Sequence, residues 1–177
     1  MAEPHDEPAT APETALPPGH LAALRAIVER LAREPLVWTV TGSTSFALQG
    51  VAVPVGDIDL QTDAAGAYAI ARHFAAQITR PVQFSSTERI RSHYGALILD
   101  GVQVELMGAL QKRLPDGSWE APVDIAPHRR WVEVAGLRVP VLDLAYEERA
   151  YRLLGRTERA DLLRRHLDAQ PPVEGTR

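Results

Sequence analysis

One stretch decides the fold: residues 38–63, which read WTVTGSTSFALQGVAVPVGDIDLQTD. An apolar, β-branched run ends at Gly42-Ser43, a short helix-forming segment follows, and a second apolar run carries two aspartates one residue apart. Because residues i and i+2 of a strand lie on the same face, Asp57 and Asp59 are expected to point in one direction. Unpaired buried carboxylates are costly, so the pair either lies on a solvated face or holds something positive.

The composition is that of an ordinary globular domain. The chain has 177 residues, of which 45% are hydrophobic and 24% charged, and its formal net charge is −4. This charge gives no general attraction to nucleic acid or to an anionic membrane. The sequence has no cysteine, which excludes disulfides, thiolate catalysis and cysteine-bound zinc. No apolar run reaches the roughly 18 residues that span a bilayer, and no signal-peptide pattern is present, so we expect a cytoplasmic protein without membrane partners.

Proline-rich ends flank the predicted domain. Residues 1–18 contain five prolines among acidic and small residues, a composition too poor in apolar side chains to order itself. We predict a disordered acidic tail over 1–18, a single domain over 19–168, and a flexible tail over 169–177.

The elements between the tails predict an α/β (α+β) fold. Ser43 is expected to cap the short helix after the first strand, and Gly50 to close it. An alanine-rich helix follows the second strand, and two or three further strands include a hairpin at Asp100-Gly101. Two helical segments come last. This order indicates a mixed β-sheet flanked by helices, with C-terminal helices.

A third carboxylate lies in the segment GVQVELMG, residues 101–108. Strand alternation places Gln103, Glu105 and Met107 on one face, so Glu105 is an isolated acid on a strand otherwise built to be covered. Carboxylates that act together with substrate phosphates are typical of magnesium sites. Two such ions can hold the attacking and leaving oxygens of a phosphoryl displacement.

The Gly42-Ser43 pair predicts a phosphate contact. A helix that starts directly after a strand presents free N–H groups, and a glycine there lets a phosphate approach the backbone. In ERIRSHYG, residues 88–95, Arg89, Arg91 and His93 alternate onto one face and could meet a triphosphate. Magnesium prefers oxygen ligands, which disfavours His93 as a metal ligand.

The ordered set TGS, short helix, DIDL, helix, hairpin and VQVEL resembles the nucleotidyltransferase superfamily, which has the DNA polymerase beta-like fold. Within it, the chain is similar to small bacterial and archaeal nucleotidyltransferase-domain proteins related to antibiotic and abortive-infection toxin nucleotidyltransferases. The resemblance covers about residues 36–167. It implies that Gly42 and Ser43 contact the nucleotide phosphates, and that Asp57 and Asp59 hold magnesium.

Further roles follow from the same resemblance. Glu105 would be the third carboxylate, binding metal or acting as a base. Arg89 and Arg91 are candidate nucleotide-binding residues from their strand alternation alone, and they could meet the triphosphate or the acceptor. The ending LLGRTERADLL resembles a helical stretch of the toxin relatives, which adds Arg156, Arg159 and Asp161 as weaker candidates. The implied activity is magnesium-dependent transfer of a nucleoside monophosphate from a triphosphate, ATP in the first place, to an acceptor hydroxyl, with release of pyrophosphate.

Several alternatives stay open at this level. The aspartates could form a solvated face or pair with Arg89 and Arg91, Glu105 could be a structural ion-pair partner, and the arginines could lie on an exposed strand face. The protein could be a non-catalytic nucleotide- or ligand-binding module, a toxin-type enzyme acting on RNA or protein, or a scaffold acting through its acidic tail. The net charge favours a small-molecule acceptor over RNA. Neither the acceptor nor the oligomeric state is specified.

Overall fold

The computed structural model describes residues 16–170, which build a seven-stranded mixed sheet with helices on both faces. The predicted mixed sheet with C-terminal helices is therefore confirmed. In chain order the elements are α1 (Pro18–Leu31), β1 (Trp38–Thr41), α2 (Gly42–Leu48), β2 (Ile58–Thr62), α3 (Ala64–His73), β3 (Ile78–Ser86), β4 (Ile90–Leu99), β5 (Val102–Lys112), β6 (Arg129–Val134), β7 (Leu137–Leu142), α4 (Leu144–Leu153) and α5 (Thr157–Ala169).

The sheet has the strand order β3-β4-β5-β2-β1-β7-β6. Strand β2 pairs antiparallel with β1 and parallel with β5, and β1 pairs parallel with β7. The hairpins β3-β4-β5 and β6-β7 extend the sheet on its two sides through antiparallel pairs. This topology puts β2, the strand that contains Asp59, directly between β1 and β5 in the middle of the sheet.

The main core lies on one face of the sheet, under α1 and α3. Strand alternation sends Ile58 and Leu60 of β2, with Val104 and Leu106 of β5, to this face, and all four side chains are fully buried. The helices contribute apolar residues at helical spacing, among them Leu24 and Ile27 of α1 and Ile70 of α3. The polar residues of the central strands must consequently point to the opposite face.

The opposite face is partly covered by α2, α4 and α5, which form a second, smaller apolar cluster. Phe46 of α2, Leu144 of α4 and Leu163 of α5 are buried together with Val51. Asp143 caps α4 by accepting a hydrogen bond from the Tyr146 backbone N–H at 3.0 Å. These helices leave the β3-β4-β5-β2 part of this face open.

The polar run after α3 forms parts of two strands. A turn at residues 87–89 divides this run into β3 and β4. The Thr87 hydroxyl closes the turn by donating to the Ile90 carbonyl at 2.9 Å. The Asp100-Gly101 hairpin between β4 and β5 has the left-handed backbone that such a turn needs, with φ of 48° and 77°.

The predicted tails lie mostly outside the described residues, at 1–15 and 171–177. Of the described part, Leu16 is buried and Pro18 already begins α1, while α5 continues to Ala169. Both helices thus include residues that were assigned to tails. None of the helices within residues 16–170 is long and apolar enough to cross a membrane.

Candidate active site

A cleft of about 800 Å³ lies between the open face of the sheet and the helices α4 and α5. This volume is in the range of small-molecule sites. The polar faces of β1, β2 and β5 form its floor, with Thr41, Asp59 and Glu105, and β3 and β4 form one side. The other side is the Gly42-Ser43 turn together with α4 and the start of α5.

The strand register arranges the key side chains in one row across the floor. Thr41 pairs with Asp59, Asp59 pairs with Glu105, Glu105 pairs with Ala96, and Ala96 pairs with Arg80. Directly paired residues lie on the same face of a sheet. The row therefore runs from the Gly42 side of the cleft, through two acids, to an arginine on the edge strand β3.

The three predicted carboxylates come together as the sequence suggested. Asp59 and Glu105 lie side by side as directly paired residues of β2 and β5. The Gln103 amide donates to Asp57 Oδ2 at 3.1 Å and to Glu105 Oε1 at 3.0 Å. Asp57, immediately before β2, is the exposed member of the group, whereas Asp59 is half-buried.

Burial and the crowding of acids together raise the pKa of Asp59 to about 7. The causes are burial first, and then the negative charges of Glu105 and Asp57, which the nearby Arg156 offsets only in part. A cation would relieve the same repulsion, and the donors are the hard oxygens that Mg²⁺ prefers. Within residues 16–170 no three acidic or histidine side chains form a ready-made metal cage. Magnesium fits such an open set, since it usually binds one or two carboxylates together with substrate phosphates.

The Gly42-Ser43 turn lies beside this acidic group. Gly42 has a left-handed backbone with φ of 69°, and a Cβ there would be 2.5 Å from Asp59 Oδ2. A glycine is thus required both by the turn and by the closeness of the carboxylate. The 42–43 peptide consequently forms the cleft wall next to Asp59.

Ser43 does not cap α2, which corrects the sequence-based prediction. The helix already begins at Gly42, and its N-cap residue Thr41 makes no capping hydrogen bond through its side chain. Instead Ser43 Oγ accepts a hydrogen bond from the Gly56 N–H at 3.0 Å, and the Thr44 hydroxyl donates to the Asp57 carbonyl at 3.1 Å. These bonds fix the end of the 51–56 loop and so set the position of Asp57. The Ser43 hydroxyl keeps its own hydrogen for a ligand.

Glu147 of α4 is a buried acid that the sequence did not reveal. Its side chain accepts hydrogen bonds from the Thr41 hydroxyl and, at 3.0 Å, from the Gly42 N–H. Its second oxygen, Oε2, is buried without a partner among the described residues. Burial raises the pKa of Glu147 well above 4.5, more than these hydrogen bonds lower it. Burial therefore favours the neutral form of this carboxyl, which holds the turn from below.

Arg89 and Arg91 are not in the cleft, contrary to what their alternation suggested. The residues of β4 that line the cleft are Ile90, Ser92 and Tyr94. Arg89 lies in the turn before β4 and donates to the Leu154 carbonyl at 2.6 Å. Arg91 donates to the Gln111 side chain at 2.9 Å, and its guanidinium carbon lies 4.6 Å from the centroid of the Trp119 ring. Because Leu97 and Leu99 of the same strand are buried in the main core, the odd-numbered residues of β4 point away from the site and the even-numbered residues face it.

Two other arginines line the cleft in place of Arg89 and Arg91. Arg156 and Arg159, at the start of α5, both line the cleft, and the charge of Arg156 acts on Asp59. Within residues 16–170, neither of these two arginines forms an ion pair. Asp161 points elsewhere and pairs with Arg152 at 3.0 Å. The LLGRTERADLL resemblance was the signal that could identify the two arginines.

Arg80 and Tyr94 complete the far end of the row. The Arg80 guanidinium lies over the Tyr94 ring at 4.7 Å from its centroid. Tyr94 lies near Glu105, and burial together with the proximity of this carboxyl group raises the pKa of Tyr94 to about 12. No sequence motif indicated these two residues, because their neighbourhood depends on the pairing of β3 with β4.

Replacement of Glu147 should reveal its neutral state through the pH dependence of stability. A raised pKa in the fold means that the contribution of Glu147 to stability is fully present below about pH 4.5 and decreases as pH rises toward the folded-state pKa. Glu147→Gln keeps the acceptor oxygen and cannot ionise, so its stability relative to wild type should increase from pH 5.5 to pH 8 in urea unfolding. Glu147→Ala leaves the Gly42 N–H and the Thr41 hydroxyl buried without an acceptor, which should cost about 2–5 kcal/mol.

The neighbouring Glu148 provides the control for this measurement. Hydrogen bonding to Arg152 keeps the pKa of Glu148 below its usual range, and Arg164 is a second partner. Its contribution is present above its unfolded-state pKa and disappears only in acid. Glu148→Gln should therefore destabilise the protein with little change between pH 5.5 and pH 8. A pH-independent difference between Glu147→Gln and wild type would contradict the neutral state.

Comparisons with known proteins agree with this geometry. The model of the aminoglycoside-2''-adenylyltransferase family matches residues 23–167. The chain belongs to this family. It is therefore a member of a nucleotidyltransferase family, as the sequence motifs predicted.

Two solved structures illustrate the relationship of this family member to others. A candidate nucleotidyltransferase from Thermotoga maritima, TM1012, is 53% identical, with a TM-score of 0.77, over 88% of this chain and 96% of that chain. The lincosamide antibiotic adenylyltransferase LnuA, solved with lincomycin, is 11% identical, with a TM-score of 0.52, over 80% of this chain and 94% of that chain. At this low identity LnuA shows the shared fold alone. No protein with a curated description matches the chain significantly.

Proposed function

We propose that the protein transfers a nucleoside monophosphate from a nucleoside triphosphate, with ATP favoured, to a hydroxyl group of a small molecule. The observation that carries this proposal is the row of Asp59 and Glu105, with Asp57 beside it, next to the Gly42-Ser43 turn in one cleft. The adenylyltransferase family to which the chain belongs supports ATP as the donor.

The reaction joins the acceptor to the α-phosphate. The acceptor oxygen forms a bond to the α-phosphorus, the bond from this phosphorus to the bridging oxygen of the β-phosphate breaks, and pyrophosphate leaves. The hydroxyl proton passes to Glu105, the acid of the row on the side away from Gly42. The Gln103 amide orients Glu105 by donating to its Oε1 at 3.0 Å, and Tyr94 lies near the same carboxyl group. Catalysis of this kind depends mainly on positioning and on stabilisation of charge.

The phosphates would bind on the Gly42 side of the row. Ser43 offers its hydroxyl hydrogen there, and Arg156 and Arg159 offer guanidinium groups at the start of α5. Arginine is well suited to phosphate because its planar fork makes paired hydrogen bonds. The Gly42 N–H, in contrast, is already donated to Glu147.

Asp57, Asp59 and Glu105 are the residues that would hold magnesium. When bound, this ion supplies neutralisation of the negative charge on the phosphates and on the carboxylates. The raised pKa of Asp59 would be lost on binding, since a carboxylate must be deprotonated to act as a ligand.

The decisive test is calorimetry of each nucleoside triphosphate with and without Mg²⁺, followed by measurement of pyrophosphate release with a panel of hydroxyl compounds. We expect magnesium-dependent binding, strongest for ATP, and pyrophosphate release that depends on the acceptor. Binding with no pyrophosphate release for any acceptor would point to the binding-module alternative. Absence of nucleotide binding would contradict the proposal.

A further inference from the structure

The far end of the cleft contains an arginine that the nucleotide reaction does not use. Arg80 is exposed and lines the cleft, and it makes neither an ion pair nor a side-chain hydrogen bond with the residues described. Its guanidinium rests on the Tyr94 ring, which limits its freedom without satisfying its charge. An arginine that is held in place and lacks an anionic partner is prepared to bind an anion.

The geometry of the transfer decides which substrate this arginine meets. In phosphoryl transfer the attacking and leaving oxygens lie roughly in line on opposite sides of the phosphorus. The leaving pyrophosphate belongs to the side of Gly42, Arg156 and Arg159. The attacking hydroxyl must then come from the side beyond Glu105, and Arg80 is the charged residue at that end of the row.

The strands beyond Glu105 bring no acid to this part of the cleft. Strands β3 and β4 contribute Arg80, Tyr94 and, farther along the strands, Ser85 and Ser92. Within the described residues, the acids that line the cleft are Asp57, Asp59, Glu105 and Glu147, none of them on β3 or β4. Lys112 lines the cleft on the α4 side, where it donates to the Tyr146 hydroxyl at 3.2 Å, and its charge is paired with Glu120 at 2.5 Å.

We propose that the acceptor is a small hydroxyl compound with an anionic group, a phosphate or a carboxylate, and that Arg80 binds this group. This inference rests on the proposed nucleotidyl transfer and goes further by assigning the acceptor's charge. It differs from the polycationic substrate that the family's name would suggest. The Tyr94 ring holds the arginine in the cleft two strands away from Glu105, so binding of the anion at Arg80 directs a hydroxyl of the same molecule toward the base.

The test measures binding to the full chain saturated with Mg²⁺ and α,β-methylene-ATP, an analogue whose α–β linkage cannot be cleaved. The probes are glycerol 3-phosphate, glycerate, glycerol and 3-amino-1,2-propanediol, which share a scaffold and differ in charge. The Arg80 side-chain Nε–H signal is followed by ¹⁵N NMR and is assigned by its loss in Arg80→Gln. We expect saturable shifts with the two anions, whose relative strength distinguishes phosphate from carboxylate, and none with the neutral and amino compounds.

Variants separate this inference from the proposed function. Arg80→Gln should weaken binding of the preferred anion roughly 10- to 100-fold, because a charge-assisted hydrogen bond is lost, and should leave binding of the ATP analogue unchanged. Arg80→Lys should weaken binding of the anion less than Arg80→Gln does. Arg33→Gln, which removes an exposed arginine after α1, should change neither the binding of the anion nor the binding of the ATP analogue.

Each other outcome has a defined meaning. Analogue binding with no response of Arg80 to either anion would overturn the inference while leaving the proposed function intact. Weaker analogue binding in Arg80→Gln would assign the arginine to the nucleotide and would also overturn it. If Mg²⁺ and the analogue do not bind to the wild-type protein, the proposed function itself fails, and the inference fails with it.

Discussion

Asp59→Asn is expected to abolish magnesium-dependent nucleotide binding and to reduce transfer on the order of 10³-fold or more. The change removes one negative charge from the centre of the row, where Asp59 lies between Thr41 and Glu105. Metal-assisted charge stabilisation contributes several kcal/mol to a transition state, and each 1.36 kcal/mol corresponds to about a factor of ten in rate. Calorimetry with ATP and Mg²⁺, and the rate of pyrophosphate release, measure the two effects.

The same substitution should not destabilise the fold. Asparagine has the shape of aspartate and removes the repulsion from Glu105 and Asp57 that raises the pKa of Asp59. We therefore expect the free energy of unfolding at pH 7 to be equal to or higher than that of wild type. Active sites often contain residues that lower the stability of the fold because function requires them.

A matched control is available in the β4-β5 hairpin. Asp100 has a left-handed backbone with φ of 48°, a conformation that asparagine adopts readily. Asp100→Asn makes the same chemical change in an exposed turn outside the cleft, so nucleotide binding should be unaffected. Retention of magnesium-dependent binding in Asp59→Asn would show that the carboxylate row is structural and would remove the basis of the enzymatic proposal.

Gly42→Ala is expected to have the second large effect, on both stability and binding. Its left-handed backbone, with φ of 69°, costs an alanine roughly 1–2 kcal/mol. The added methyl would also lie 2.5 Å from Asp59 Oδ2, so the carboxylate or the turn must move. Crowding of this kind typically costs a further ~1–3 kcal/mol, and a displacement of about 1 Å in an active site can reduce the rate about 10²-fold.

Gly50→Ala separates the two causes. Gly50 also has a left-handed backbone, with φ of 84°, yet the nearest atom to an added Cβ is His166 Cε1 at 3.8 Å. This variant therefore measures the backbone cost alone, and nucleotide binding should remain at the wild-type level. Chemical denaturation and ATP calorimetry on both variants give the comparison. If Gly42→Ala and Gly50→Ala lose the same stability and both bind ATP normally, the contact between Gly42 and Asp59 has no functional role.

Local pattern in the sequence determined the centre of the site. Strand alternation placed Asp57 and Asp59 away from the core, because Ile58 and Leu60 had to be buried on the other face. The same alternation placed Glu105 opposite Val104 and Leu106, so the pairing of β2 with β5 was enough to bring the acids together. Period-two patterns of this kind are local properties, and a motif such as Gly42-Ser43 followed by DIDL contains its geometry within a few residues.

Prediction failed where the wrong face of a strand was taken to meet the site. Arg91 and His93 alternate with Ser92 and Tyr94, but Leu97 and Leu99 of the same strand are buried in the main core, so the odd-numbered residues face away from the cleft. The polar half of β4 by itself does not reveal which of its two faces is covered. For the same reason the sequence pointed to Arg89 and Arg91, whereas the structure brings Arg80 to the cleft.

The sequence by itself therefore determined the mixed sheet, the three carboxylates and the glycine turn, all of which follow from local spacing and from burial of the alternate residues. Only the tertiary structure decided what surrounds them. Glu147 reaches the Gly42 N–H from a helix 105 positions later in the chain, and Arg80 joins the row through two successive strand pairings. Contacts between residues so distant in the chain depend on how whole elements pack, and such packing leaves no periodic trace in the sequence.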